Sequence, residues 1–121
     1  MIDLFEKKIP IYMQLIELFK QLIVSGKWPQ GVYIESVRDL AMTYQVNPNT
    51  VFKALSELEQ QGLLINDRTI GKKVTEDTQL IEQTKKETLL EALQMFLNQA
   101  KDLGYSKDDV CKLIKGKDEV E

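Results

Sequence analysis

The sequence predicts a mainly α-helical chain that carries one small β-hairpin near its middle. Three observations support this prediction. Residues 36–62 have the pattern of two short helices joined by a tight turn, and residues 63–75 form two strand-like runs around a second turn. Residues 78–103 have a long helical repeat. We therefore divide the chain into a first domain at residues 1–75 and a helical tail at residues 76–121.

Capping residues mark the ends of the two short helices. Ser36 and Asp39 form a capping-box pattern, in which the hydroxyl accepts from a backbone amide while the carboxylate reaches back. Asn47 and Pro48 begin the second helix, because asparagine is a preferred N-cap and proline fits the first helical position. Gly62 suits a left-handed C-terminal cap, so the second helix is expected to end there.

The second short helix has two chemically different faces. An apolar stripe at positions i, i+3, i+4 and i+7 consists of Val51, Ala54, Leu55 and Leu58. The opposite face carries an amide, an aromatic ring, a cation and a hydroxyl, from Asn49, Phe52, Lys53 and Ser56. Because such groups can contact base edges and phosphates, we expect a recognition helix for the DNA major groove. The alternative is an ordinary helical hairpin within a helical core.

The segment after Gly62 is predicted to form a hairpin. Leu63-Leu64-Ile65 has β character, residues 66–71 are rich in turn residues, and residues 72–75 can return as a second strand. The hairpin carries the cations Arg68, Lys72 and Lys73 and one acid, Asp67. A hairpin directly after two such helices makes a winged helix-turn-helix, whose wing can contact the DNA backbone or minor groove.

At this point the sequence resembles a known family. Residues 10–75 are similar to the winged helix-turn-helix domain of GntR-family bacterial transcription regulators, and the short helical tail resembles the YtrA-like subfamily. The motifs that carry the resemblance include Pro10-Ile11-Tyr12-Met13-Gln14-Leu15, Ser36-Val37-Arg38-Asp39-Leu40-Ala41, Val46-Asn47-Pro48-Asn49-Thr50-Val51 and Leu58-Glu59-Gln60-Gln61-Gly62-Leu63. The resemblance implies a sequence-specific, DNA-binding transcription regulator that acts as a repressor.

The resemblance also implies individual DNA contacts. Arg38 corresponds to an arginine that grips phosphate or base at the edge of the groove; its alternative role is an ion pair with Glu35 or Asp39. The complete predicted DNA-binding set is Arg38, Asn47, Asn49, Thr50, Phe52, Lys53, Arg68, Gly71, Lys72 and Lys73. Two segments depart from the family pattern: Ile34-Glu35-Ser36 stands where the family usually has Leu-Pro-Ser, and Thr69-Ile70-Gly71 lacks one wing glycine.

The net charge of −3 is unevenly distributed along the chain. Residues 1–75 contain nine basic and eight acidic side chains, a net charge of +1, whereas residues 76–121 contain seven and eleven, a net charge of −4. Because phosphate binding depends on local charge, the acidic tail does not exclude DNA binding by the first domain.

The tail is predicted to form a homodimer. Its first helix has an apolar face with coiled-coil-like spacing, formed by Leu89, Leu93, Phe96, Leu97, Ala100 and Leu103. Gly104 ends this helix, and Ser106 begins a second one with Val110, Leu113 and Ile114 on its inner face. Two such helices cannot bury their apolar faces alone, so they pack either on their own winged domain or, as we favour, on a second copy.

Several classes of protein are not indicated. The sequence has no histidine, nucleophile motif or phosphate-binding glycine loop, so neither catalysis nor a cofactor is expected. No cysteine and histidine pattern for a metal exists, and the single Cys111 is expected to be a buried core thiol. Without a membrane-length apolar segment or a signal peptide, we expect a cytoplasmic protein.

The combined prediction is a homodimeric repressor that binds a palindromic DNA operator. The alternative is a winged-helix adaptor for other proteins that has lost DNA binding, which the acidic tail, the unusual wing and Glu35 would suit. Any small-molecule effector would have to bind at the subunit interface, because two helices cannot enclose a typical pocket. Leu93, Met95 and Phe96 are expected to line that crevice.

Overall fold

The computed structural model describes residues 8–120 and confirms the predicted fold class. The elements are α1 (Ile11–Val24), α2 (Val37–Tyr44), α3 (Pro48–Gln60), β1 (Leu64–Asp67), β2 (Gly71–Val74), α4 (Thr78–Asp102) and α5 (Lys107–Val120). The chain divides into two compact units, one through Lys85 and one from Lys86 onward. The first turns of α4 therefore belong with the winged helix-turn-helix. None of the helices in residues 8–120 combines the length and the apolar character that crossing a membrane requires.

The Ser36 hydroxyl and the Asn47 side chain cap α2 and α3 as the sequence predicts, whereas within residues 8–120 the Asp39 carboxylate does not complete the predicted capping box. The Ser36 hydroxyl accepts from the Asp39 amide at 3.1 Å, and the Asn47 side chain accepts from the Asn49 amide at 2.8 Å. Gly62, just past α3, has a φ of 82°, which a residue with a side chain rarely adopts. Between the helices Gln45 also adopts a left-handed conformation, with a φ of 55°. This single left-handed residue ends α2 and turns the chain toward α3.

The core of the first unit lies between α1, α2, α3 and the hairpin. The predicted stripe of α3 is fully buried there, with Val51, Ala54, Leu55 and Leu58 each at most 1% exposed. From α1, Phe19 stacks on Trp28 at 5.2 Å between ring centroids and meets the edge of Tyr44 at 5.8 Å. Burial of these large apolar side chains is the main source of stability for the unit.

The hairpin has a third backbone partner that the sequence pattern did not reveal. β1 and β2 pair antiparallel, with Leu64 opposite Val74 and Asp67 opposite Gly71. The segment before α2 then pairs with the free edge of β2: the Ile34 amide donates to the Lys72 carbonyl, and the Val74 amide donates to the Val32 carbonyl, both at 2.9 Å. This pairing joins the β2 side of the wing to the segment that leads into α2.

Two helices shape the second unit. A complete capping box starts α5, since the Ser106 amide donates to the Asp109 carboxylate at 3.0 Å and the Asp109 amide donates to the Ser106 hydroxyl at 3.1 Å. Gly104, with a φ of 95°, follows the end of α4.

The inner side of α5 is narrower than the sequence predicts. Val110 is buried, whereas Leu113 and Ile114 are 60% and 53% exposed. The expected burial of Cys111 is wrong, because its side chain is exposed. Consecutive residues of a helix lie about 100° apart, so burial of Val110 turns its neighbour toward solvent.

Candidate nucleic-acid interface

The polar face of α3 is exposed where a recognition helix needs it to be. Asn49 and Lys53 are exposed, Thr50 and Ser56 are half-buried, and the Phe52 ring is 57% exposed. Asn47 lies exposed at the start of the helix, where its side chain is already bonded to the Asn49 amide. The face thus presents amide, hydroxyl, cationic and aromatic groups along the first turns of one rigid helix.

Lys53 is held by a residue that sequence reasoning did not single out for DNA binding. Its Nζ lies 3.8 Å from the centroid of the Tyr12 ring, on α1. This distance is that of a cation–π contact, which orients the ammonium group without removing its charge. Helical periodicity describes one helix at a time, so the pattern within α3 held no signal for a partner on α1.

Arg38 lies exposed on α2 and is free of the ion pairs weighed as its alternative role. Among the described residues, the ion pairs join Lys20 to Glu17, Lys72 to Glu59 and Lys85 to Glu82. Arg38 is therefore bound to neither Glu35 nor Asp39. Its guanidinium group is available for a two-donor contact with phosphate or guanine.

The turn of the wing is organised by Asp67. Its carboxylate accepts from the Tyr33 hydroxyl at 2.8 Å and from the Thr69 amide at 3.0 Å. These hydrogen bonds, that from Tyr33 first, lower the pKa of Asp67, while the same bond from Tyr33 to Asp67 raises the pKa of the Tyr33 phenol. The Tyr33 contact was not expected from the sequence, since the residues are far apart along the chain.

The basic residues of the wing lie in three different surroundings. Arg68 is exposed in the turn, and Lys73 is half-buried on β2. Lys72 donates to the Glu59 carboxylate on α3 at 2.8 Å, and its side chain is only 15% exposed.

Gly71 has a φ of 142° with open space around it, so only its backbone conformation favours glycine there.

The elements that carry the predicted DNA-binding residues pack on one another. α2 contacts α3, α3 contacts β1, and β1 pairs with β2. The structure thus places Arg38 and the wing on elements that both connect to α3, which carries the polar face. Among residues 8–120, no group of three or more His, Cys, Asp or Glu side chains could hold a metal ion.

Most residues predicted for the dimer interface are exposed in the single chain. Leu89, Leu93, Phe96 and Leu103 are 69%, 44%, 50% and 76% exposed, respectively. Leu97 is half-buried, and Ala100 is already buried within the chain, at 8% exposure.

An open groove of about 380 Å³ lies between α4 and α5. It is lined by Gln94, Leu97, Asn98, Ala100, Lys101, Tyr105, Ser106, Lys107 and Val110. The groove does not include Leu93, Met95 or Phe96, which were expected to line an effector crevice.

Comparison with known proteins gives consistent matches over the winged helix-turn-helix. Residues 11–74 match the family described as "Bacterial regulatory proteins, gntR family". The HTH-type transcriptional repressor YtrA of Bacillus subtilis (strain 168) is 34% identical over 107 residues, which cover 88% of this chain and 82% of YtrA.

Two solved structures extend the comparison to three dimensions. A GntR family transcriptional regulator from Listeria monocytogenes superposes with a TM-score of 0.86 at 32% identity, covering 93% of this chain and 98% of that one. The DNA-binding domain of AraR in complex with operator ORX1 has a TM-score of 0.54 at 26% identity, covering 62% of this chain and 92% of that one.

Proposed function

Because this chain belongs to the GntR family of bacterial regulatory proteins, with a YtrA-like architecture, we propose that it is a homodimeric repressor that binds a palindromic operator. The family assignment makes the chain a transcription regulator with a DNA-binding winged helix-turn-helix. The single observation that carries the proposal is the polar face of α3, exposed from Asn49 to Lys53 beside a basic wing.

We assign the major-groove contacts to α3. Asn49 can pair with adenine, and Lys53 can reach guanine or phosphate. Phe52 can pack on a thymine methyl group. This contact would explain why the aromatic ring is 57% exposed on the surface of α3. At the start of α3, the backbone amides and the helix dipole favour a phosphate beside Asn47 and Thr50.

Arg38 and the wing are assigned to the flanks of this contact. Arg38 would bind the backbone or a guanine at the groove edge, since it has no acidic partner within the described residues. Arg68, Gly71, Lys72 and Lys73 belong to the wing that would lie beside the backbone or the minor groove. The operator complex of the AraR DNA-binding domain supports DNA as the ligand of this fold.

Dimerisation is proposed to occur through the helical tail. The exposed leucines and Phe96 on α4 form an apolar surface whose contact with water is unfavourable. A two-fold axis through this surface would place one winged domain on each half of a palindrome. The two recognition helices would then be about one turn of DNA apart. Any effector would bind between the two subunits and act by changing the separation of their recognition helices.

Repression is inferred from a relative that aligns with most of this chain. YtrA of Bacillus subtilis is named a transcriptional repressor and covers most of this chain. A dimer bound over a promoter would block polymerase by occupancy alone, which requires no further domain.

A salt titration of DNA binding tests the proposal. The full chain should shift a duplex carrying the promoter of its own operon, with an affinity that falls steeply with salt and exceeds that for a scrambled duplex. Arg38→Ala should flatten the slope of log affinity against log salt by about one unit, without lowering the unfolding midpoint. Binding that is absent at low salt would overturn the proposal and favour the protein adaptor.

A further inference from the structure

The wing carries two adjacent lysines whose surroundings differ. We propose that Lys72 is a positioning residue that holds the wing against α3 through Glu59, and that Lys73 is the wing lysine that contacts DNA. This inference rests on the proposed function, because it assigns different roles to two residues of one DNA-binding surface.

The ion pair between Lys72 and Glu59 joins two separate elements. Lys72 lies in β2, Glu59 lies in the last turn of α3, and their Nζ and Oε2 atoms are 2.8 Å apart. The side chains are 15% and 35% exposed, whereas those of the intrahelical pair Lys85–Glu82 are 53% and 63% exposed. Partial burial reduces solvent screening, so this pair should contribute more than a surface pair does.

Strand alternation separates the directions of the two lysines. Successive side chains of a strand point to opposite faces, so Lys72 shares a face with the buried Val74, two residues on. Lys73 shares the other face with Ile65, its partner in the register, which is 46% exposed. Lys72 therefore lies on the core side of the wing, and Lys73 lies on its outer side.

The position of Glu59 near the C-terminus of α3 further stabilises its ion pair with Lys72. A carboxylate near the C-terminus of a helix is disfavoured by the helix dipole, and a cation at that end is favoured. Lys72 supplies this cation from another element. Drawing Lys72 away to a DNA phosphate would weaken its pairing with the Glu59 carboxylate, which is only 35% exposed, and loss of a partner by a partly buried charge is costly.

The ion pair thus explains how the wing keeps its position relative to the recognition helix. It adds a side-chain contact with α3 to the backbone pairing with residues 32–34 and the hydrogen bond from Tyr33 to Asp67. Lys73 takes no part in the ion pair of Lys72 and interacts electrostatically with Asp67 of the wing turn.

A comparison of two matched variants tests the division of roles. Lys72→Met and Lys73→Met each remove one charge and keep a long side chain, and both are titrated with salt on the promoter duplex. Lys73→Met should flatten the salt slope by about one unit. Lys72→Met should keep the wild-type slope and weaken binding about two- to fivefold through a displaced wing. Equal flattening by both variants, or flattening by Lys72→Met alone, would overturn the inference.

Thermal unfolding without DNA tests the ion pair independently of the proposed function. Glu59→Gln and Lys72→Met should each lower the unfolding midpoint by about 2–5 °C, and the double variant should lower it no further than the larger single effect. Strictly additive shifts would refute the ion pair even if the wild-type chain binds DNA. Absence of wild-type DNA binding would instead refute the proposed function, and with it the assignment of Lys73.

Discussion

The ring of Tyr12 positions the ammonium group of Lys53. The contact at 3.8 Å joins α1 to the exposed face of α3, so a residue outside the recognition helix orients one of its basic groups. A cation–π contact at an accessible site contributes about 0.5–1 kcal/mol. If Lys53 contacts DNA as proposed, Tyr12 would affect DNA binding through Lys53, and its hydroxyl would not be required for that role.

Substitutions at Tyr12 should separate the ring from the hydroxyl. Tyr12→Phe should keep wild-type affinity for promoter DNA, whereas Tyr12→Leu should weaken binding about two- to fivefold, because Lys53 loses its orienting ring. Fluorescence anisotropy with a labelled duplex measures both variants, and circular dichroism confirms that both are folded. Equal weakening by the two substitutions would show that the ring contact with Lys53 is not what matters.

Asp67 and Tyr33 make the wing turn sensitive to pH at both extremes. The folded-state pKa of Asp67 is lowered from 3.8, so its contribution to stability is present above that pH and is lost as the pH falls through the lowered value. The pKa of Tyr33 is raised from 10.0, so its contribution is present below pH 10.0 and is lost as the pH rises through the raised value.

The phenylalanine variant isolates this hydrogen bond. In Tyr33→Phe the pKa of Asp67 should rise toward 3.8, because the first of its stabilising donors is gone while the Thr69 amide remains. A carboxyl-carbon NMR titration of both proteins measures the change. An unchanged Asp67 pKa in the variant would mean that the phenol does not bind the carboxylate in solution.

At the scale of secondary structure, the N-cap of α3 lies two residues before the first side chain of its proposed DNA-binding face. Asn47 caps the first turn through the Asn49 amide, while the Asn49 side chain is exposed. Asn47→Ala should lower the free energy of unfolding by about 1 kcal/mol, since the helix loses its N-cap. Asn49→Ala should change it by less than about 0.5 kcal/mol and still weaken DNA binding.

Urea denaturation followed by the DNA titration measures this pair of variants. The contrast depends on the separation of roles between the two asparagines. If Asn49→Ala destabilised the fold as much as Asn47→Ala, the exposed face would be structural and not a reading face.

Elements that rest on local chemistry could be predicted from the sequence. Ser36, Asn47, Pro48 and Gly62 act on their own backbone neighbourhood, so the bounds of α2 and α3 followed from them. The pairing of residues 32–34 with β2 could not be predicted in this way, because it joins segments about 40 residues apart through backbone atoms that any sequence possesses.

The same distinction applies to the candidate site. Its polar face was predicted from helical spacing, whereas the partners of Lys53, Lys72 and Asp67 all come from other elements. The predicted burial of Cys111 was wrong for a related reason. An apolar stripe on a short helix contains several residues that could be buried, and tertiary packing buries Val110 and leaves Cys111 exposed.

At the scale of the whole molecule, the border between the two units sets where the chain can be shortened. Ile81, in the first turns of α4, is 4% exposed and belongs to the core of the first unit. Removal of all residues after Asp77 would delete Ile81 and leave a cavity that costs about 2–5 kcal/mol. Truncation after Lys85 retains it.

The chain that ends at Lys85 is therefore expected to be a folded monomer with weak operator affinity. Two linked heads bind two half-sites at a high effective concentration, which a single head lacks. Sedimentation velocity should report a dimer for the full chain and a monomer for the truncated chain. Phe96→Glu in the full chain is the matched control, because it should break the dimer without shortening the protein. A full-length monomer at micromolar concentration would contradict the dimer.

The exposure of Cys111 makes the protein directly accessible to spectroscopy. The sequence holds one cysteine, and its thiol faces solvent on α5. A spin label or a fluorophore would attach at one defined position per chain, without engineered cysteines or the removal of native ones. In a two-fold dimer the labels form a single symmetric pair, so one distance distribution would follow the tails while DNA or a candidate small molecule is added.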